Sequence, residues 1–222
     1  MGTMSVNKLG GLALVIGPIV ALASFLIRPG GGLIGGQVDP ADGMASIQVI
    51  MANGTMSTLS GAGALLGLMV FLYGVNVVVD SLKGGNGEAL ARLGALFLIF
   101  GLVTWLIGTS AQLVIASGSI DPTSQMGVLG TLYAESLGLG NIGSVLTALA
   151  FLCISWAVST RDDFNRKFAI VVAALSAVLV VVSVMAALNS SMLQTAGMVA
   201  SVVYLVTVAW SVTIGLNYSK KG

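Results

Sequence analysis

Between Glu88 and Ala116 the sequence runs for nearly thirty residues with no charge after Arg92. That exceeds the roughly 20 apolar residues a helix needs to cross a bilayer. Hydrocarbon offers no partner to unpaired backbone groups, so such a stretch can enter lipid only as a helix or in a closed barrel. Its glycines, Gly94, Gly101 and Gly108, fall seven residues apart, close to two full turns, and therefore share one face. The stretch is expected to be a transmembrane helix with a small-residue seam built for close packing.

The rest of the chain has the same character. Of 222 residues, 56% are hydrophobic and 8% charged, against about 25% charged in soluble domains, and the mean hydropathy is +1.03. The expected fold class is all-α, a polytopic integral membrane bundle of six transmembrane helices with two short outer amphipathic helices. A net charge of +1 and the lack of any basic cluster with interleaved aromatics argue against a nucleic-acid partner. Without histidine, and with Cys153 as the single cysteine, no intrachain disulfide, Cys/His zinc site or histidine-ligated haem can be built. The ten methionines are scattered, as apolar gap fillers are. No metal and no cofactor is expected.

The first span is placed at about 8–27. Its basic start and late Ala-Leu-Ala also resemble a secretory signal peptide, but hydrophobicity continues to Ile27, which favours a retained helix, bent at Pro18. A glycine-rich loop follows, then Asp39-Pro40, which reads as a helix start with Asp39 as N-cap and Pro40 in the first turn. That short helix would run to about Ala52 with Met44, Ile47 and Met51 on one face. The second span, about 57–79, carries Gly63 and Gly67 in a small-xxx-small pattern, with Asn76 and Asp80 one turn apart near its end. Asp80 is read together with Lys83 and Arg92 as an interfacial ion cluster.

After the third span, 88–116, Asp121-Pro122 repeats Asp39-Pro40 at a distance of 82 residues. Met126 answers Met44, Ala134 answers Ala52 and Gly143 answers Gly61 at the same offset. Two parallel two-span repeats, 8–79 and 88–158, are the expected organisation within one membrane domain covering 1–222. The second short helix would cover Pro122 to about Leu137 and group Met126, Leu129 and Tyr133, with Glu135 the one acid beyond the cap. Further spans are expected at 138–158, 168–188 and 192–216.

Six spans with the N-terminus inside place eight cations on the inner side, including Lys221, and only Arg28 outside. The expected location is therefore the cell membrane, multi-pass, with both termini cytoplasmic. Asn53-Gly54-Thr55 and Asn189-Ser190-Ser191 are acceptor triplets for glycosylation on the outer side.

No nucleophile with a base, phosphate loop or paired catalytic carboxylates can be assembled, and an enzyme is not expected. The glycine run of the first loop lacks the lysine and the strand-helix context of a phosphate cradle. The leading functional reading is a non-catalytic structural or accessory subunit. It would pack against another membrane subunit or its own copies through Gly63, Gly67, Gly94, Gly101 and Gly108, with membrane lipids around it. The alternative is a small-solute transporter or channel with a polar cavity between the repeats, lined by Asn76, Gln112 or Glu135. A third reading, an enzyme acting on lipid at the outer interface, would rely on Glu135 or Asp42.

Overall fold

A computed structural model of the chain describes residues 4–31, 34 and 36–220. Gly32, Leu33 and Gly35 of the glycine-rich loop, and Lys221, lie outside the described residues. Each long apolar run satisfies its backbone as a helix. The helices are α1 (Val6–Leu26), α2 (Gly43–Ala52), α3 (Gly54–Ser81), α4 (Glu88–Ala116), α5 (Met126–Ser159), α6 (Arg166–Leu188) and α7 (Leu193–Lys220), with a 3-10 turn at Ser190–Met192. All but α2 are long and apolar enough to cross a membrane. Large apolar side chains such as Ile16, Phe100, Val181 and Val202 stay exposed on their outer faces, as suits helices surrounded by lipid.

The caps differ from expectation in instructive ways. Asp42, not Asp39, caps α2 by accepting from the Ala45 amide at 3.0 Å, while Asp39 accepts from the Ala41 amide at 2.9 Å in a turn ahead of the helix. Asp121 plays the same part before α5, accepting from the Thr123 amide at 3.0 Å and from the Thr123 and Ser124 hydroxyls at 2.8 Å. These donors hold the Asp121 carboxyl below its ordinary pKa, the Thr123 backbone bond most of all. The buried face of α2 carries Ser46, Ile47 and Ile50, with Met51 half-buried and Met44 exposed.

The second short helix is not a separate element. Residues 126–159 form one unbroken helix of 34 residues, because Gly138 and Gly140 each weaken a helix by only about 1 kcal/mol and no proline ends it. Its first turns and α2 share an apolar cluster of Ile47, Ile50, Ile115, Leu129 and Tyr133. The Tyr133 hydroxyl donates to the Pro40 carbonyl at 2.9 Å, which fixes the preceding loop. The expected ion cluster resolves into two separate pairs, Lys83 with Asp80 at 2.8 Å and Arg92 with Glu88 at 2.7 Å.

The spanning helices form a ring in chain order, closed by α7 against α1. The most extensive pairs are α4 with α5 and α1 with α3. Gly94, Gly101 and Gly108 face α5 of the same chain, where a Cβ would meet Ile154, Thr147 and the Ser136 carbonyl at 2.7, 2.8 and 3.2 Å. Gly63 and Gly67 face Ser24 and the α1 backbone at 2.5 Å. The seam read from sequence is thus filled from within the chain. In α1, Gly10, Gly17 and Ser24 repeat the same seven-residue spacing on the side facing α3.

Helix α1 continues through Pro18, which lacks the N–H that would normally bond the Leu14 carbonyl. The buried Ser211 hydroxyl of α7 donates to that carbonyl at 2.7 Å. We expect Ser211→Ala to lower stability by about 1 kcal/mol, read from unfolding in bicelles. The effect should shrink in a Pro18→Ala background, where the substituted residue restores the N–H donor. An equal loss in both backgrounds would contradict this pairing.

Candidate functional site

The two halves of the ring are built differently. In the half bearing the chain ends, Leu82, Leu98, Val158, Trp210, Ile214 and Tyr218 form a continuous core. There the Tyr218 hydroxyl donates to Ser81 at 2.5 Å and its ring stacks on Phe164 at 6.2 Å.

The half nearer α2 encloses a cavity of about 190 Å³. Five of the six spans line it, with Phe25 and Arg28 following α1 inward from the loop, Trp105, Thr109 and Gln112 on α4, Ser136, Asn141 and Ser144 on α5, Ser183 on α6, and Leu193 to Tyr204 on α7. The span from Leu193 to Tyr204 gives a depth of about 16 Å at ~1.5 Å rise per residue. The space exists because small residues face it. A Cβ on Gly140 or Gly197 would meet nothing within 4 Å. Pro40 lies at the rim, and a smaller groove between Gly30, Gln37, Val38 and Gln194 shares Pro40, Leu193 and Gly197 with the cavity. That groove adjoins the cavity at the α2 end.

Aromatic rings make the floor. Trp105 meets Tyr204 edge-on at 6.3 Å, Tyr204 meets Phe151 at 6.4 Å, and Phe151 meets Phe71 at 5.9 Å. The Trp105 indole edge occupies the place where Gly143 has no side chain. Tyr204 is held by its hydroxyl, 3.3 Å from that of Thr147. Beneath lies an almost wholly apolar chamber of about 70 Å³, bounded by Pro18, Leu68, Phe71, Leu98 and Phe151 and sharing Phe25, Trp105 and Tyr204 with the cavity above.

The cavity is rich in donors, and Arg28 is the one charged group in its lining among the described residues. The Arg28 guanidinium donates to Gln112 Oε1. Among the described residues no carboxylate lies within 4.0 Å of it. Burial lowers the Arg28 pKa from its ordinary value, with neighbouring Tyr133 opposing, yet guanidinium is basic enough to stay charged at neutral pH. Two further donors in the lining, Trp105 Nε1 and the Ser136 hydroxyl, are buried without a hydrogen-bond partner. Trp105 Nε1 packs against Gly143, and the Ser136 hydroxyl, like that of Ser176, is enclosed in the helix packing with almost no accessible surface. No group of three His, Cys, Asp or Glu able to hold a metal occurs among the described residues.

Of the residues singled out from sequence, Gln112 lines the cavity. Asn76 is exposed on α3 in the half bearing the chain ends. Glu135 is exposed, and its neighbour Ser136 faces inward instead. Sequence reasoning passed over Arg28, Trp105, Asn141 and Tyr204. A signal existed for Arg28, the one cation expected outside. A weaker one existed for Asn141, a polar residue within a turn of Gly138 and Gly140. No family model matches the chain, and no curated protein or solved structure shows significant similarity to it, so the site is read from its own chemistry.

Proposed function

We propose that this membrane protein is a carrier for small solutes, captured from the outer side in the cavity between α1, α4, α5, α6 and α7. The observation that carries the reading is the asymmetry of the ring, with a polar cavity in the half nearer α2 and a packed core in the other. Among the described residues, Lys8, Lys83, Arg92, Arg161, Arg166, Lys167 and Lys220 lie at the packed end and Arg28 is the one cation at the α2 end. The positive-inside rule therefore turns the packed end and both termini to the cytoplasm. Capture from outside and a closed path to the inside describe the outward-facing state of an alternating-access carrier.

The chemistry is read as non-catalytic, since the lining has no nucleophile paired with a base. The subunit reading loses its main support, because the glycine seams that would bind a partner helix are occupied by α5 and α1 of the same chain. Association with other copies would have to use the exposed apolar faces instead.

The test is uptake into proteoliposomes of three labelled probes, benzoate, glycine and glycerol, which stand for an anion, a zwitterion and a neutral polyol. At least one should enter faster than into protein-free vesicles and lose that advantage in Gly140→Phe. Equal entry of all three with and without protein would overturn the carrier reading.

A further inference from the structure

Resting on that reading, we infer that the solute is a small amphipathic monocarboxylate. Its carboxylate would sit on Arg28 and Gln112, and its apolar body would lie on the Trp105 and Tyr204 rings of the floor. The chemistry of the lining supports this.

The cavity contains one cation and no acid, so a bound anion is attracted and a bound cation repelled. Arginine presents five N–H donors in a planar fork that matches a carboxylate, and among the described residues its one hydrogen bond goes to Gln112. An ionised carboxylate is acceptor-only, so it can take the guanidinium donors that Gln112 leaves free.

A single guanidinium balances one negative charge, and a dianion would leave a second charge uncompensated at the edge of a low-dielectric interior. That distinguishes a monocarboxylate from inorganic phosphate. The size also fits. A cavity of about 190 Å³ exceeds the ~150 Å³ that accommodates benzene. The floor presents the Trp105 and Tyr204 rings, which suit an apolar body. The polar and apolar parts are stacked along the ring axis, so the ligand should be polar at one end only.

The experiment is binding to the purified full-length chain in nanodiscs, read by calorimetry and by fluorescence of the cavity tryptophan. The probes are benzoate and its neutral isostere benzamide. Benzoate should bind at least 10-fold more tightly. Arg28→Gln should abolish that preference, Arg28→Lys should retain part of it, and Gln112→Leu, which removes the polar partner of Arg28, should weaken benzoate about 5-fold. Thermal unfolding of each variant separates lost binding from lost fold, and Arg28→Lys keeps the charge assignment testable if Arg28→Gln does not fold. Equal binding of benzoate and benzamide, or no binding of either, would overturn the inference. So would full retention of the preference in Arg28→Gln, or tighter binding of short-chain phosphatidic acid, which would assign the site to a lipid headgroup. The carrier reading fails separately, only if glycine and glycerol are also not taken up.

Discussion

Gly17→Ala is expected to destabilise the protein by about 3 kcal/mol, and Gly17→Leu to leave no folded chain. A Cβ at Gly17 would lie 2.5 Å from the Phe71 amide nitrogen and 2.7 Å from the Gly67 carbonyl oxygen. Both are backbone atoms and cannot rotate away, so α1 and α3 must separate. Moving α1 off α3 drives it into α7, where a Cβ at Gly11 would already lie 2.6 Å from the Gly215 carbonyl and the Ser219 amide. Overpacking of this kind usually costs about 1–3 kcal/mol, and a helix held on both sides belongs at the upper end. Gly108→Ala provides the contrast, since its nearest atom would be the Ser136 carbonyl oxygen at 3.2 Å, and it should cost well under half as much. Thermal unfolding of the three variants in detergent gives the ranking. Equal stability of Gly17→Ala and wild type would show that the α1–α3 contact is looser than described.

Gly140→Phe should reduce solute binding at least 100-fold while leaving the fold in place. The side chain would project into a cavity in which its Cβ meets nothing within 4 Å. A phenyl group takes up much of about 190 Å³, given that ~150 Å³ suffices for benzene. Glycine in mid-helix is also unfavourable by about 1 kcal/mol relative to alanine. Gly140→Ala should therefore raise stability slightly and preserve binding, which separates the effect of filling the cavity from that of altering α5. Gly197→Trp should act like Gly140→Phe from α7. If binding persisted in both filled variants, the ligand would have to sit elsewhere.

The six spans could be read directly because their signal is an average over about twenty residues, and no local detail competes with it. The glycine register at Gly94, Gly101 and Gly108 was equally plain, but the identity of the facing helix was not. Any helix with small residues can receive such a seam, and the choice of α5 depends on a short connection through Asp121 and Pro122. The boundary expected near Leu137 failed because glycines in a membrane helix do not end it. The site was the least legible part. Asn76 and Glu135 drew attention as polar residues, yet rotation about the helix axis decides which neighbour faces inward, and Ser136 does so instead of Glu135. Arg28 stood out in the sequence only as the single cation expected outside. Its importance comes from what the ring places opposite it, Gln112 on α4, 84 residues away.

The central claim is that the ring holds a water-accessible cavity open at the α2 end and closed at the other. Side-resolved cysteine labelling tests it most directly. In a Cys153→Ala background, Ala196→Cys lies in the cavity wall and Ile214→Cys in the packed half. With a charged, membrane-impermeant thiol reagent on sealed vesicles, Ala196→Cys should react from the α2 side only, and Ile214→Cys from neither side. An Ala196→Cys thiol that is inert from both sides, or an Ile214→Cys thiol that reacts as readily, would contradict the account.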